Sequence, residues 1–349
     1  EISPETAGII TDVFAKLPNY LVVVKTPWGM LAKGAQVVLY NQNSNTIVAS
    51  EVATYGVAVF TKDQRLKAYT MSATWTQKET GLTFKSAPRI SVGKTLDMDV
   101  ITVHPTFRIG LKDTDHNAYI SGYPDGLVRP NNTLTRAEAA QIIFELMTDE
   151  SKAQYAKKAG KTFIDVGKDH WAYEAITMMT KASVLVGVGD GRFDPDAVMT
   201  REQFATMIAQ LFMIEINQPI GGFIFKDLNG GFADKYISFL YMLGILEGKG
   251  DNMFGPKDSL TRAQAITVVN KLIGRLPGEG TTSFGAVADQ MKTWPDNMDT
   301  TAWYYAAIQE ATNSHDYTLD VNFNTFGDLK GDIFQNIKHP VTERWTLIR

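Results

Sequence analysis

The sequence predicts a multidomain chain of α and β parts: a seven-strand β-sandwich followed by an all-α repeat domain with pseudo-threefold symmetry. Three observations carry this expectation. Short β-branched runs separated by polar or glycine turns fill residues 20–103; a glycine-turn and helix motif occurs three times between 120 and 273; and a lone half-motif returns at 294–311. Strand-like alternation and a repeat of some sixty residues are different folding problems, so they belong to different domains.

Residues 1–17, EISPETAGIITDVFAKL, fit either a short amphipathic helix or an interaction arm. The sandwich is expected over 18–104, from YLVVV, AQVVLYN, NTIVASEVA, GVAVFT, KAYTMSATW, FKSAPRISV and TLDMDVITV. The order PWGMLAKGAQVVLYN, ATYGVAVF, YTMSATW resembles transthyretin-like or carboxypeptidase-regulatory-like sandwiches. Such modules are spacers or assembly units, and the fold by itself brings no activity.

In the repeats, Gly122, Asp125, Pro130, Thr135 and Arg136 recur as Gly187, Asp190, Pro195, Thr200 and Arg201, then as Gly248, Asp251, Pro256, Thr261 and Arg262. Each threonine is followed three positions on by Glu138, Gln203 or Gln264, the capping-box pattern of a helix start. Apolar residues then fall at +3, +6, +7, +10 and +11 from the arginine, for example Ala139, Ile142, Ile143, Leu146 and Met147. That spacing is one helical face turned to a core.

The arginine stands at the first helical position, where the helix dipole disfavours a cation by roughly 0.3–1 kcal/mol. Two readings account for it. One is a salt bridge to the aspartate eleven residues earlier, Asp125, Asp190 or Asp251; the other is a pocket in which the guanidinium grips an anionic ligand with two hydrogen bonds.

A leading helix precedes the second and third copies, in FIDVGKDHWAYEAI and FKDLNGGFADKYI, with Trp171, Ala172, Ala175, Ile176, Met179 and Phe232, Ala233, Tyr236, Ile237, Leu240 as buried stripes. The first copy has only the short polar KDTDHNAY before it. The missing half is WPDNMDTTAWYYAAIQEA, where Trp303, Ala307, Ile308 and Ala311 repeat the stripe. A lone repeat cannot bury its apolar face, so this segment is expected to fold back, complete the first repeat and form a central three-helix bundle with the helices around Trp171 and Tyr236. The boundaries are then 105–147 for repeat 1 without its first helix, 148–213 for repeat 2 and 214–275 for repeat 3. A linker follows at 276–293, the returning helix at 294–315 and an extension at 316–349. TDESKAQYAKKAGK at 148–161 extends the preceding helix or bridges to the next unit. Phe323, Phe326, Phe334 and Trp345 make the extension too apolar for a free tail, so it is expected to dock.

ISGYPDG, RPNNTLTRAE and FIDVGKDHWAYEAI resemble the S-layer homology domain over about residues 111–315, and the split first repeat with its PDNMDTTAWYYAAIQEATNSHDY tail looks like a form found in surface proteins of clostridia and their relatives. The resemblance implies noncovalent anchoring to the cell wall of a Gram-positive bacterium through an anionic, pyruvylated secondary cell-wall polysaccharide held between adjacent repeats. The glycan-binding residues it nominates are Arg136, Arg201 and Arg262; Asp165 with Trp171; Asp296 with Trp303; Asp227, whose aromatic partner is Phe232; and Gly122, Gly187 and Gly248. The turns VGVGDG and EGKGDN depart from the family pattern, which makes the third-repeat groove the weakest expected binder. The competing reading is a self-assembling subunit of an extracellular lattice or filament, associating through the sandwich or the N-terminal arm.

Composition narrows the classes further. A formal charge of −4 argues against nucleic acid as the main partner, no run reaches eighteen apolar residues, and with no cysteine there is no disulfide framework. A chain beginning at Glu1 is compatible with the mature product of an exported precursor. No HExxH, GxSxG or phosphate loop is present, and the histidines lie far apart, so no enzyme, cofactor or metal is expected. DGRFDPD at 190–196 does not meet the EF-hand spacing. Carboxylate-pair glycosidases carry no short motif, so this argument reaches only motif-bearing enzymes.

Overall fold

The computed structural model describes residues 20–41, 46–54, 56–87, 90–92, 98–213, 216, 224–275, 277, 281, 283–321 and 341–349. The expected N-terminal arm, much of the linker, and Phe323, Phe326 and Phe334 lie outside the described residues. The chain divides into two compact units, one of residues 1–106 with 320–342 and one of 107–319 with 343–349.

The first unit contains β1 (Tyr20–Lys25), β2 (Ala35–Tyr40), β3 (Ile47–Ala53), β4 (Val57–Phe60), α1 (Lys62–Lys67), β5 (Thr70–Thr76), β6 (Thr83–Lys85), β7 (Ile90–Ser91), β8 (Met98–Thr102) and β9 (His104–Pro105). One sheet runs β4-β1-β8, with β1 and β8 parallel; the other runs β3-β2-β5-β6-β9, with β7 also paired to β5. Alternation decides which faces are buried. Ala35, Val37 and Leu39 of β2 and Met71, Ala73 and Trp75 of β5 are buried, and β1, central in its sheet, is buried at nearly every position. FKSAPRISV divides between β6 and β7, and α1 interrupts the strand run with a capping box of Thr61 and Gln64.

The second unit contains α2 (Arg136–Leu146), α3 (Asp149–Ala156), α4 (Tyr173–Lys181), α5 (Arg201–Ala209), α6 (Asp234–Met242), α7 (Arg262–Leu272), α8 (Tyr305–Thr312) and most of the paired strands β10 (His315–Val321) and β11 (Val341–Ile348). Thr135, Thr200 and Thr261 cap α2, α5 and α7 through boxes closed by Glu138, Gln203 and Gln264. The polar stretch after α2 is the separate helix α3, started by its own cap at Thr148. The closest helix contacts fall in three pairs, α2 with α4, α5 with α6 and α7 with α8. Each leading helix thus packs on the second helix of the repeat before it.

Main-chain hydrogen bonds tie the three repeats to one another. Leu134 N–H donates to Leu260 O at 2.8 Å, Leu260 N–H to Met199 O at 3.0 Å, and Met199 N–H to Leu134 O at 2.8 Å, a closed ring of three bonds. The next donors, Arg136, Arg201 and Arg262 N–H, bond to Ala197, Asp258 and Asn132 O, so N–H groups that a helix start leaves without partners are satisfied by the neighbouring repeat.

Residues 294–312 complete the cycle. Asp165 accepts from the N–H groups of Phe193 and Asp194, at 2.9 and 2.7 Å, and Asp227 from those of Phe254 and Gly255, also at 2.9 and 2.7 Å. Asp296 accepts in the same way from Val128 and Arg129 in the first turn, at 3.0 and 2.7 Å. Tyr119 and Ile120 N–H both donate to Ala311 O at 3.0 Å. Beyond α8, Trp345 of β11 is buried against Phe284 and Tyr305.

One expectation is corrected. Trp171, Phe232 and Trp303 are not buried at the head of their stripes but 61%, 59% and 63% exposed. The helices begin later, at Tyr173, Asp234 and Tyr305, so these rings sit outside the first turn, while Ala175, Ile176, Ile237, Leu240, Ile308 and Ala311 behind them are buried.

Burial pushes the Asp165 and Asp227 carboxyls up, but the backbone N–H bonds outweigh it and both titrate below the usual carboxylate range. A folded-state value below the unfolded one adds stability above the unfolded pKa of about 4 and loses it as pH falls through the folded value. The urea midpoint is therefore expected to fall as pH is lowered from about 4, and to fall less steeply over that interval in Asp165→Asn/Asp227→Asn. Urea titrations across the acid range check this.

Candidate functional site

The three motif arginines reach across to the glycine turn of the next repeat, and the expected salt bridges to Asp125, Asp190 and Asp251 are not what holds them. Arg136 donates from Nε to Phe193 O at 2.9 Å and from Nη2 to Val186 O at 2.7 Å; Arg201 donates to Phe254 O at 2.9 Å and Glu247 O at 3.2 Å. Arg262 donates to Val128 O at 3.1 Å and pairs through Nη1 with Glu138 at 3.2 Å. Each guanidinium also lies over an aromatic ring, Phe193, Phe254 or Tyr123, 4.4–4.8 Å from its centroid. Burial pushes the Arg136 and Arg201 guanidiniums down from their usual pKa, opposed by nearby aspartates. They stay charged.

The aspartates of the turns have other tasks. Asp125 pairs with Arg129 at 2.6 Å, while Asp190 and Asp251 take φ of 48° and 50°, a left-handed conformation that aspartate tolerates better than most residues.

The glycines make room for rings. A Cβ on Gly187 would stand 2.7 Å from Phe163 Cε1 and 2.6 Å from Arg192 O; on Gly248 it would stand 2.6 Å from Phe225 Cε1 and 2.7 Å from Met253 O. Gly122 is covered likewise by the indole of Trp294. Phe163, Phe225 and Trp294 each lie two residues before the turn-binding aspartate, so one short segment both packs the glycine and ties down the turn.

Two grooves of the same construction lie between repeats. One, of about 190 Å³, brings together Arg201, Gly248, the outer face of α7 with Gln264, Thr267 and Lys271, and Trp303. The other, of about 660 Å³, brings together Arg262, Gly122, the outer face of α2 with Glu138, Gln141 and Glu145, and Trp171. Arg136, Gly187, α5 and Phe232 hold the corresponding positions of the repeat pattern. Of the nominated residues, arginine, glycine and tryptophan therefore converge, whereas Asp165, Asp227 and Asp296 are engaged with turn N–H groups.

The helix-face residues were missed by sequence reasoning. They sit at +2, +5 and +9 from the arginine, the polar complement of the apolar stripe, and that spacing was their signal. They also set the charge. The first groove has Arg201 and Lys271 against Glu247, which pairs with Lys271 at 3.0 Å and is largely exposed; the second has Arg262 against Glu138, Glu145 and Asp196.

The S-layer homology domain model matches residues 115–140, 162–205 and 224–266. A cellulosome-anchoring protein of Acetivibrio thermocellus is 34% identical over 60% of this chain and 45% of its own length. Cell surface glycoprotein 1 of the same organism is 31% identical over 62% of this chain and 9% of its own. An uncharacterized cell wall amidase of Bacillus anthracis is 32% identical over 43% of this chain and 27% of its own. The chain thus spans less than half the length of each of these relatives. Among the described residues no helix is long and apolar enough to cross a membrane.

Gly187→Ala and Gly248→Ala each drive a methyl into a ring edge and a carbonyl. Overpacking of this kind costs about 1–3 kcal/mol. Both variants are expected to lose that much stability in chemical denaturation, whereas alanine at Gly126, whose Cβ would meet nothing within 4 Å but whose φ is +81°, should lose only the smaller cost of backbone strain.

Proposed function

The repeats of this chain are S-layer homology repeats, and on that premise we propose that it is a noncovalent cell-surface anchor gripping an acidic cell-wall glycan in the groove of Arg201, Gly248, α7 and Trp303. One observation carries the reading: an exposed indole stands across a narrow groove from two cations. A sugar ring presents an apolar face that lies flat on an indole, while a carboxylate on it, such as that of a pyruvate ketal, accepts charge-assisted hydrogen bonds from guanidinium and ammonium groups. Lys271 is already turned toward the groove by Glu247, whose carboxylate is exposed and readily displaced by a ligand anion.

This reverses the expected ranking of the grooves. The departure of the third-repeat turn from the family pattern leaves its anchoring in place, since Gly248 and Asp227 hold that turn as Gly187 and Asp165 hold theirs. Charge decides instead. In the first-repeat groove Glu138 already occupies Arg262, and Glu145 and Asp196 repel a second anion. The relatives named for anchoring and for the cell surface are consistent with this role, as is a cell wall amidase in which like repeats accompany an enzyme. The location that follows is the outer wall of a Gram-positive cell.

The test is co-sedimentation with wall sacculi, native and stripped of their polysaccharide, using variants that spare the fold. Arg201 holds two main-chain carbonyls, so its removal mixes binding with stability; Lys271→Ala and Trp303→Ala do not carry that burden. Hydrogen bonds to charged groups contribute about 1.5–3 kcal/mol, so Lys271→Ala is expected to weaken binding about tenfold or more with little change in melting. Trp303→Ala should do the same. Arg262→Ala should weaken binding less. Equal pelleting with native and stripped sacculi would remove the glycan from the reading.

A further inference from the structure

Four buried ionisable side chains that line neither groove meet at one point: His116 ahead of the first turn, Glu310 on α8, His315 at the start of β10 and Glu343 on β11. They are 2%, 0%, 0% and 3% exposed. One ligand atom from each lies within 4.8 Å of all the others.

The protons do not suffice for a hydrogen-bonded network. His315 Nδ1 lies 3.0 Å from Asn313 O, an acceptor, so that nitrogen carries the ring proton and Nε2 faces inward with its lone pair. His116 Nδ1 then stands 3.0 Å from His315 Nε2, 3.1 Å from Glu310 Oε1 and 3.3 Å from Glu343 Oε2. It offers one proton at most to three lone pairs. Glu310 Oε1 is buried without a hydrogen bond, although its other oxygen accepts from Trp345 Nε1 at 3.2 Å. The guanidinium of Arg275 turns its Nη1 and Nη2 to the carbonyls of Asn117 and Asp115, and that of Arg349 donates to His315 O and pairs with Asp316.

A cation at the centre serves all four atoms at once. Donors about 2.0–2.1 Å from a tetrahedral ion stand about 3.3 Å apart, close to the 3.0, 3.1 and 3.3 Å from His116 Nδ1 to the other three residues. Two imidazoles and two carboxylates form a donor set for divalent first-row ions, and His315 already has the outward N–H bond to a carbonyl that orients a ligating imidazole. Tyr317 stacks on His116 at 3.9 Å and Trp345 on His315 at 3.7 Å, so aromatic walls close the site. A closed four-ligand site is structural rather than catalytic.

We propose that His116, Glu310, His315 and Glu343 bind one divalent transition-metal ion, Zn2+ by preference, which fastens α8 and the β10–β11 sheet to the segment that opens the first repeat. The site is independent of the glycan reading and stands or falls separately. The full chain, stripped with a chelator and desalted, is titrated with Zn2+ and analysed for bound metal and melting temperature. One equivalent bound, with a melting temperature raised by at least about 4 °C, is the expected result. Reconstitution with Co2+ should give the intense visible absorption of a tetrahedral site without any variant being made. Glu310→Gln, checked for folding by circular dichroism, should lose both the equivalent and the absorption. Substoichiometric Zn2+ in the wild type, the weak spectrum of octahedral Co2+, or an undiminished equivalent in folded Glu310→Gln would each overturn the proposal.

Discussion

The ring of three main-chain hydrogen bonds through Leu134, Met199 and Leu260 is the constraint on which the repeat domain depends. It places the start of each second helix against the glycine turn of its neighbour, and the arginine at that start follows. A guanidinium at a helix N-terminus is unfavourable by itself. Here two carbonyls of the adjacent turn and an aromatic face surround it, so a local penalty becomes a tie between repeats. The grooves follow in turn, because a wall from one repeat, a floor from the next and an exposed ring from the one after are brought together only if the ring holds.

Much of this was legible from local signals. The Thr-x-x-Glu/Gln boxes, the turn spacing and the apolar stripes mark helices whose partners lie within four residues, and such interactions are written in short stretches of chain. Interactions between repeats were not. The aspartate that each motif shares with its arginine stands eleven residues earlier, yet Arg136 and Arg201 bond to carbonyls some fifty residues away and Arg262 to one 134 away, and a main-chain acceptor leaves no trace in residue identity. Trp171 and Trp303 matched the helical period but precede the helix, which periodicity cannot see when both flanks are apolar. In the sandwich, α1 carried a capping box that the surrounding strand pattern masked. His116 and His315 are 199 positions apart, and only the return of the chain brings them within 3.0 Å.

The third residue after each motif threonine shows how one position serves fold and site together. Glu138, Gln203 and Gln264 all close the same capping box through a side-chain oxygen, so the helix start tolerates either residue. The groove does not. Glutamate neutralises the facing guanidinium and accepts from the Tyr123 hydroxyl, whereas glutamine caps the helix without adding charge. Grooves assembled from corresponding residues can therefore diverge in ligand preference by a change that leaves the capping box undisturbed.

The bonds from Tyr119 and Ile120 to Ala311, and from Val128 and Arg129 to Asp296, join segments separated by about half the length of the chain. Contacts between α2 and α4 or between α5 and α6 close loops of a few dozen residues, while this junction must close one of well over a hundred. The entropy of closure grows only slowly with loop length, but long-range contacts gather late because the chain between them has to be ordered first. A domain closed in this way resembles a strap rather than a stack: it has no terminal repeat exposing an apolar face, and it is slack until the buckle is fastened. On these grounds the repeat that comes first in the sequence is the last to be finished, and a chain cut before Trp294 would carry the Arg201 groove without its indole.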